Sequence, residues 1–376
     1  MKEDAIFYYI IWAFLLIIAL VERMRKRPFD KGVVVFVFLV LAVIVGCRYD
    51  VGADWSNYVE LYYKGVIYDN MVERTSVEPL YELCQYIFRS IGFTHAVFFL
   101  FLSIVSLCCY YKIAKLLGIK NFMTVLFVYF TLVFLNYQFN VIRQGVMTSF
   151  VWLAFAYRIV GNNKASIISI IVALGFHFTA LAFIPIVFLA NRRFSYIETA
   201  IIICASIACL ILDVSYKILS LFPILTAIDR TSNFVTSETF HVEGGLSFGM
   251  VVMLLVFLFV YVCFKDDYTN DSRLRTLANI ILFDFFFSCM FNTFSIFQER
   301  VCRVMFFSMV FLLPLIVEKL KKPCLRVVAM TVIVAYALLA FPKTFAVHDD
   351  GYSTLLPYRI EIGQLFDAEY AKQIIR

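Results

Sequence analysis

The sequence predicts an all-α polytopic integral membrane protein, and three observations lead to this fold class. The chain of 376 residues is 62% hydrophobic with a mean hydropathy of +0.87, which is more apolar surface than a soluble domain of this size can bury. Apolar runs of about 15–20 residues, close to the length that an α-helix needs to cross a bilayer, recur along the whole chain. The segments between these runs alternate in charge, with basic residues concentrated in every second one.

About twelve apolar runs are present, and we expect each to be a transmembrane helix. The region 165–190 is long for one span and short for two, so two passes that meet near His177 and a re-entrant pair are both open. In chain order the predicted spans are Ala5–Val21, Val33–Cys47, His95–Tyr111, Phe122–Tyr137, Val141–Tyr157, Ala165–Phe176, Thr179–Ala190, Ile197–Leu212, Leu246–Phe264, Thr276–Phe291, Val301–Val317 and Leu325–Phe341.

The positions of the charged residues predict the orientation of these spans. Short basic segments are expected on the inside: Glu22–Lys31, Lys112–Lys120, Arg158–Lys164, Asn191–Phe194, Lys265–Arg275 and Glu318–Lys322. By the positive-inside rule both termini are then extracytoplasmic. We therefore expect a single membrane domain over residues 1–376, with extracytoplasmic loops at 47–94 and 213–245 and an extracytoplasmic tail at 343–376.

The first span and the outer segments have further local signals. Two acidic residues precede Ala5–Val21 and basic residues follow it, the reverse of a signal peptide, so we expect a span there. Tyrosines and leucines at helical spacing in Asn57–Tyr63 and Glu78–Phe88 predict amphipathic helices on the outer side, with the tyrosines in an interfacial belt. Asp213–Gly245 is polar and a candidate lid, and Ile360–Ile375 is amphipathic and expected to pack on the outer face.

Cysteine spacing and the missing motifs exclude several functional classes. Ten cysteines lie mostly inside apolar runs without a CxxC pair, which is typical of small core residues and not of a disulfide framework or metal site. The sequence has no Walker motif, Rossmann glycine pattern, HExxH or nucleophile elbow. We therefore expect no cofactor and no metal, and nucleic acid is not an expected partner.

Polar residues near the outer ends of the spans are the candidate site residues. Arg48, Asp50 and Asp54 directly follow the second span, and an Arg–Asp pair that ends a helix is as good an interpretation as a functional cluster. His177 stands between two apolar half-spans, where a packing role and a ligand-facing role are both open.

Two further sets of polar residues contain arginine. Arg143 lies near the start of a span beside Asn140 and Gln144, and these carboxamides favour a hydrogen-bonded polar site over snorkelling to the headgroups. Arg300 and Arg303 are three residues apart, which predicts one helical face that can clamp a phosphate or pyrophosphate.

Carboxylates near the second arginine pair allow other interpretations. Glu299 can neutralise one of these arginines, which would make the pair a charged helix start. Asp284 is a carboxylate deep in an apolar run, and either an ion pair with one of these arginines or a protonated state would account for it. We assign no catalytic role to Asp284.

All of these arginines and the histidine fall on the outer side in the predicted topology. A cationic cavity that opens outward and toward the lipid suits an anionic, lipid-linked substrate. A flippase would need polar groups in both leaflets and usually shows symmetry-related repeats, which the sequence lacks. A membrane acyltransferase would use His177 but would leave the arginines unexplained.

With these residues identified, the chain resembles the EpsG family of bacterial membrane proteins, which are polysaccharide polymerases of the Wzy type. The ordered series covers most of the chain, and its most specific part is Asn-x-x-Arg-Gln followed by Phe-His. The matching pieces are Arg48–Tyr58, Glu78–Tyr81, Phe139–Gln144, Phe176–Leu181 and Glu299–Arg300.

The resemblance implies a function at the outer face of the bacterial cytoplasmic (inner) membrane. Such proteins join oligosaccharide repeat units carried on undecaprenyl pyrophosphate, by moving the growing chain from its lipid pyrophosphate to the next lipid-linked unit, in exopolysaccharide, capsule or O-antigen synthesis. The implied fold is similar to the GT-C class of lipid-dependent glycosyltransferases. The implied enzyme is a metal-independent glycosyltransferase, and a chain-length regulator is left open as a second partner besides the lipid-linked oligosaccharide and membrane lipid.

The reaction that this resemblance implies suggests roles for the candidate residues. The departing pyrophosphate needs positive charge and the acceptor hydroxyl needs a base. A glycan ligase that uses the same donor, and a flippase or transporter of the lipid-linked oligosaccharide, are the alternatives. The expected pyrophosphate-binding residues are Arg48, Arg143, Arg300 and Arg303, the expected catalytic residues are Asp54 and His177 as alternative bases, and the expected sugar-binding residues are Asn140 and Gln144.

Overall fold

The computed structural model describes residues 5–25, 27–64, 77–215, 244–345 and 353–367. Within these ranges the regular elements are helices, apart from an isolated antiparallel bridge between Arg48 and Ile360. The all-helical fold class is thereby confirmed. Residues 216–243 of the candidate lid Asp213–Gly245 and the last residues of the tail, 368–376, lie outside the described residues.

Contacts divide the chain into two compact units, Met1–Leu181 with Leu313–Arg376, and Ala182–Leu312. We call them unit 1 and unit 2; that the chain forms a single membrane domain stays a prediction. Unit 1 begins with α1 (Ile6–Arg25), α2 (Lys31–Gly46), α3 (Trp55–Lys64), α4 (Pro79–Ser90), α5 (His95–Leu116), α6 (Phe122–Tyr129), α7 (Ile142–Ile159) and α8 (Asn163–Phe176).

The remaining helices follow after a 3-10 segment, Phe178–Ala182. Unit 2 contains α9 (Phe183–Leu189), α10 (Tyr196–Leu212), α11 (Phe248–Cys263), α12 (Lys265–Asn270), α13 (Ser272–Met290), α14 (Ser295–Phe297) and α15 (Arg303–Phe306). The boundary between the units falls inside α16 (Ser308–Lys319), and unit 1 resumes with α17 (Pro323–Ala340) and a 3-10 segment, Phe341–Phe345.

Four helical segments in the described residues have the length and apolarity of a membrane span. They are Ile6–Arg25, His95–Leu116, Ser295–Lys319 and Pro323–Phe345. Shorter apolar helices of 10–17 residues are Lys31–Gly46, Phe122–Phe134, Asn163–Phe176, Phe178–Leu189, Tyr196–Leu212 and Phe248–Cys263. These helices indicate a membrane-embedded protein, while the count of twelve spans and the orientation of the termini stay predictions.

The start of α6 is held by carboxylates from two other helices of unit 1. Glu22 at the end of α1 accepts the backbone N–H of Met123 at 2.9 Å. Glu318 in α16 accepts the backbone N–H groups of Lys120 and Asn121, each at 2.9 Å. The first N–H groups of a helix lack partners within the helix and favour negative charge. These two carboxylates therefore fix the position from which α6 runs toward the polar motif residues.

The chain between α6 and α7 is π-helical and not a simple turn. Two π-helical segments, Phe130–Phe134 and Asn136–Asn140, extend α6, and α7 begins at Ile142. Val141 makes the break, with φ −117° and ψ 59°. π-helical turns are rare and often occur at functional sites. This irregular backbone carries Asn140 and leads directly into Arg143.

A second break lies at His177. Helix α8 packs against α7 and ends at Phe176, and His177 has an extended backbone with φ −161° and ψ 128°. The 3-10 segment then begins at Phe178. The expected interruption near His177 is confirmed, and both sequence alternatives for the region 165–190 contain it.

The C-terminal segment 353–367 packs into unit 1. Gln364 is fully buried, and its side-chain amide donates to the carbonyl oxygens of Gly46 at 3.1 Å and Arg48 at 2.9 Å. Its Oε1 accordingly accepts from His95 Nε2, which lies 3.2 Å away at the start of α5. Together with the bridge between Arg48 and Ile360, these bonds join the segment 353–367 to the loop that follows α2.

A glycine lets this loop approach the π-helical segment closely. Gly52 has φ +105°, and a Cβ at this position would lie 2.5 Å from the carbonyl oxygen of Phe139. The Oδ1 atom of Asn140 accepts the next N–H of the loop, from Ala53, at 2.9 Å. Only glycine combines this backbone angle with this close approach, so Gly52 allows Asp54 to lie near the Asn140 segment.

We expect Gly52→Ala to lower the thermal unfolding midpoint and to reduce activity, because both the positive φ and the contact with Phe139 oppose a Cβ. The matched control is Gly92→Ala: Gly92 also has a positive φ, +89°, but no atom lies within 4 Å of its Cβ position. Both variants carry the backbone cost of about 1–2 kcal/mol, so the difference isolates the close contact. Equal midpoints for the two variants would contradict this role of Gly52.

Gln364→Leu is expected to destabilise the protein, because two carbonyl oxygens and the His95 N–H would lose their buried partner. Each buried polar group left without a partner costs about 1–3 kcal/mol. Thermal unfolding in detergent measures the effect, and Ile362→Ala, at an exposed neighbour, is the control. An unchanged midpoint for Gln364→Leu would show that the C-terminal segment does not support the loop.

Candidate functional site

Arg48 is enclosed in unit 1 and does not face an open site. Its side chain is fully buried, and its guanidinium donates to the backbone carbonyl of Gln138. The guanidinium carbon lies 5.4 Å from the ring centroid of Phe99 and 4.6 Å from that of Phe139. Burial lowers the pKa of Arg48 to about 10, which leaves the group charged at neutral pH. In this arrangement Arg48 packs inside unit 1, and its contact with pyrophosphate stays a prediction.

Asp54 and Asn140 come together through the loop after α2. The Asn140 side chain accepts the Ala53 N–H, one residue before Asp54. Asp54 is half-buried and directly precedes α3, where its carbonyl oxygen accepts the N–H of Tyr58 at 3.0 Å. A carboxylate at the start of a helix is stabilised by the helix dipole. Asp54 thus lies beside one candidate sugar-binding residue.

Arg143, the second residue of α7, forms an ion pair that the sequence analysis did not anticipate. Its Nη1 lies 2.7 Å from Oε2 of Glu78, the residue before α4, and the two side chains are 24% and 18% exposed. The guanidinium lies 5.8 Å from the Tyr81 ring centroid and also interacts with the Tyr58 hydroxyl. Burial raises the pKa of Tyr58 and of Tyr81, so both hydroxyls stay neutral beside Arg143.

The tyrosines around Arg143 do not form the expected interfacial belt. Tyr58, Tyr62 and Tyr81 are buried in unit 1, whereas Tyr86 on α4 is 63% exposed. The Tyr62 hydroxyl donates to the carbonyl oxygen of Phe93 at 2.7 Å. Helices α3 and α4 are therefore packed elements that bring tyrosines to Arg143, and their amphipathic pattern reflects this packing.

His177 is connected to the Glu78–Arg143 pair through the backbone of the next residue. The N–H of Phe178 donates to Oε1 of Glu78 at 3.3 Å. The Nδ1 atom of His177 accepts the Thr179 N–H at 3.2 Å and lies 2.7 Å from the Thr179 hydroxyl. Because Nδ1 is an acceptor, a neutral His177 carries its proton on Nε2. In this arrangement the imidazole presents a donor and not a base.

Close packing of α8 on α4 supports this connection. A Cβ at Gly175 would lie 2.6 Å from the Cβ of Leu80, so the missing side chain lets the end of α8 approach the start of α4. Glu78 and His177 flank this contact in sequence. The small residue thus brings the Glu78–Tyr81 and Phe176–Leu181 motif pieces together.

Gln144 does not present its side chain at the surface of unit 1. It is 3% exposed and lies one residue after Arg143 in α7. Direct contact with a sugar would require this part of α7 to open. The sugar contact of Gln144 stays a prediction.

Arg300 and Arg303 lie in unit 2, at the second site of π-helical backbone. Arg300 is exposed in the π-helical segment Gln298–Cys302, and Arg303 begins α15. The sequence analysis placed both arginines on one helical face because they are three residues apart. That spacing holds for an α-helix, whereas a π turn contains more residues than an α turn. Glu299 Oε1 lies 3.6 Å from Arg303 Nη2, so the neutralisation raised as an alternative is present for Arg303.

Asp284 has a local partner in unit 2. Its Oδ1 accepts from the Ser288 hydroxyl at 3.4 Å, and the side chain is buried. Among the described residues no arginine forms an ion pair with Asp284. The alternative of an Asp284–Arg pair is thus not seen, and the structure gives Asp284 no role in a site. The part of the chain that is described also contains no group of three or more His, Cys, Asp or Glu residues able to hold a metal ion.

Sequence reasoning missed Glu78 and Gln364 as residues that organise this region. Glu78 had a local sequence signal: it is an acidic residue directly before Pro79, where a helix begins, and it belongs to the Glu78–Tyr81 motif piece. Its partners come from α7 and from the turn after α8, which are about 65 and 100 residues away. Gln364 had no local signal, since all its partners are near residues 46–48 and 95.

Comparison with known protein families gives a match over most of the chain. The EpsG family matches residues 31–360, a range that contains every piece of the motif series. Searches of the curated proteins and of the solved structures give no match. The chain therefore belongs to the EpsG family, whose known members are polysaccharide polymerases of the Wzy type.

Proposed function

We propose that this protein polymerises oligosaccharide repeat units that are linked to undecaprenyl pyrophosphate, at the outer face of the bacterial cytoplasmic membrane. The observation that carries this proposal is the convergence of four motif pieces in unit 1. Arg48–Tyr58, Glu78–Tyr81, Phe139–Gln144 and Phe176–Leu181 are far apart in sequence but contact one another around the Arg143–Glu78 pair. The general function, polysaccharide polymerisation, follows from the family.

The charge distribution within unit 1 supports an outer location for this cluster. The cluster lies where α2 and α8 end and α5 and α7 begin. At the opposite ends of these helices are basic residues, namely Lys31, Lys115, Arg158 and Lys164. Basic residues mark the cytoplasmic side of a membrane protein, so the motif cluster is proposed to face outward.

In the proposed reaction an acceptor hydroxyl attacks the anomeric carbon of the growing chain. The new glycosidic bond forms as the bond from that carbon to the pyrophosphate oxygen breaks. The lipid pyrophosphate leaves with one additional negative charge, and the hydroxyl proton passes to a base. Arg143 is proposed to stabilise the leaving charge, because a guanidinium binds phosphate oxygens through several N–H groups.

The other roles follow from the positions of the side chains. Asp54 is proposed as the base, because the hydrogen bonds of His177 leave its proton on Nε2 and suit a donor to the substrate. Asn140 is proposed to contact sugar. Arg300 and Arg303 stay in the proposal as pyrophosphate-binding residues, to be tested by their own substitutions. No residue is assigned to a metal.

Arg143→Ala and Arg300→Ala should each reduce polymerisation by purified protein about 10²–10³-fold, the effect of removing a group that stabilises transition-state charge. The assay follows lipid-linked repeat units on a gel, with Arg158→Ala, at the opposite end of α7, as the control. Arg143→Lys should recover only part of the activity, because lysine lacks the planar fork. Full-length polymer from both alanine variants at normal protein level would overturn the pyrophosphate assignment.

The same assay separates a polymerase from a ligase. Incubation with lipid-linked units alone should give longer lipid-linked chains, since a polymerase uses these units as both donor and acceptor. A ligase would leave their length unchanged until another acceptor is supplied.

Asp54→Asn and His177→Ala should have different effects on the kinetics of polymerisation. We expect Asp54→Asn to lower kcat strongly, because the proton acceptor is lost, by about 10²-fold or more. His177→Ala should lower activity less, because it removes a hydrogen-bond donor and leaves the base intact. Comparison of kcat and KM for the two purified variants measures this difference. The opposite order of effects would make His177 the base.

A further inference from the structure

The carboxylate of Glu78 connects two proposed substrate-contacting residues. Oε2 accepts from Arg143 Nη1 at 2.7 Å, and Oε1 accepts from the backbone N–H of Phe178, next to His177, at 3.3 Å. These partners belong to α7 and to the turn after α8, whereas Glu78 itself begins α4. One side chain thus joins three elements of unit 1.

Glu78 does not use its carboxylate for its own helix. It occupies the position before Pro79 where a short polar side chain commonly caps the helix, but it makes no side-chain hydrogen bond to α4. Both carboxylate oxygens instead engage groups from other elements. A carboxylate engaged on both oxygens suits a positioning role better than proton transfer.

The Arg143 guanidinium retains donors for a second anion. It has five N–H groups, and the ion pair with Glu78 involves Nη1. It also interacts with the Tyr58 hydroxyl, but the Arg143 side chain is still 24% exposed, so a ligand can reach it. The ion pair therefore sets the direction of the guanidinium without using its whole binding capacity.

The direction of the His177 ring depends on the same carboxylate through the backbone. Thr179 holds Nδ1 through its N–H and hydroxyl. The residue between them, Phe178, donates its N–H to Glu78. A shift of this turn would therefore move His177 and Thr179 together.

We infer that Glu78 is a positioning residue, which holds the Arg143 guanidinium and the His177 turn in the relative placement that the transfer reaction requires. This inference rests on the proposed function and adds to it a residue that touches neither the acceptor nor the leaving group. By this inference the Glu78–Arg143 pair is present during the reaction and contributes to its rate, in addition to stabilising the fold.

Glu78→Gln should lower the rate of chain extension by purified protein about tenfold or more, since small displacements of substrate-contacting groups are costly. The loss should appear mainly in kcat, because Arg143 remains present to bind the donor. Glu78→Asp, which keeps the charge, should retain more activity than Glu78→Gln. The matched control is Glu82→Gln, on the first turn of the same helix, and it should leave the rate unchanged. Wild-type kcat in Glu78→Gln would overturn the inference.

A double substitution tests whether Glu78 acts through Arg143. In the Arg143→Gln background, Glu78→Gln should cost less than about threefold, because residues that act as a unit show non-additive effects. The double variant also removes both charges of the pair, so it leaves no partly buried ion without a partner. A full additional loss in the double variant would show that Glu78 acts independently of Arg143.

The backbone connection to His177 has its own test, which leaves Glu78 and Arg143 intact. Phe178→Pro removes the N–H that donates to Glu78, and proline suits the first position of a helical turn that follows an extended residue. Phe178→Ala removes the same exposed ring but keeps the N–H, so it is the matched control. We expect the proline variant to lose about tenfold in kcat relative to the alanine variant, and equal kcat values would contradict the connection.

The outcomes separate this inference from the proposed function. If wild-type protein does not extend lipid-linked units, the proposed function fails. If it extends them and the Glu78 and Phe178 variants match their controls, only the positioning role fails.

Discussion

The ion pair between Arg143 and Glu78 is the interaction on which the arrangement of the candidate site depends. It joins the starts of α7 and α4 at 2.7 Å, where both side chains are largely shielded from solvent. A partly buried guanidinium needs a nearby anion or hydrogen-bond acceptors. The carboxylate of Glu78 also accepts the Phe178 N–H in the turn after His177. The partner of Arg143 therefore also fixes the Phe176–Leu181 motif piece.

Irregular backbone lies where these groups come together. The π-helical segments after α6 end at Val141 and place Asn140 and Arg143 on either side of a break. Gly52 lets the loop after α2 contact this break, and the buried Gln364 connects the same loop to the segment 353–367. Residues that are expensive to place near a membrane are thus held by contacts distant in sequence.

The sequence was sufficient for the helical fold class and for a break near His177, because apolar runs and their interruptions are local signals. It could not reveal Glu78 as the partner of Arg143, since the pairing depends on how α4 packs against α7 and α8. The enclosure of Arg48 was not readable for a related reason: a charge after a predicted span does not show that aromatic rings and a carbonyl oxygen will surround it. The π-helical backbone at Arg300 likewise has no sequence pattern that distinguishes it from an α-helix.

The most direct measurement is an experimental structure of the protein with a lipid pyrophosphate-linked oligosaccharide bound. Our account predicts pyrophosphate oxygens about 3 Å from the nitrogen atoms of Arg143, at hydrogen-bond distance, with Glu78 still contacting both Arg143 and the Phe178 N–H. A pyrophosphate bound away from Arg143, or a bound state in which Glu78 has left both partners, would contradict it.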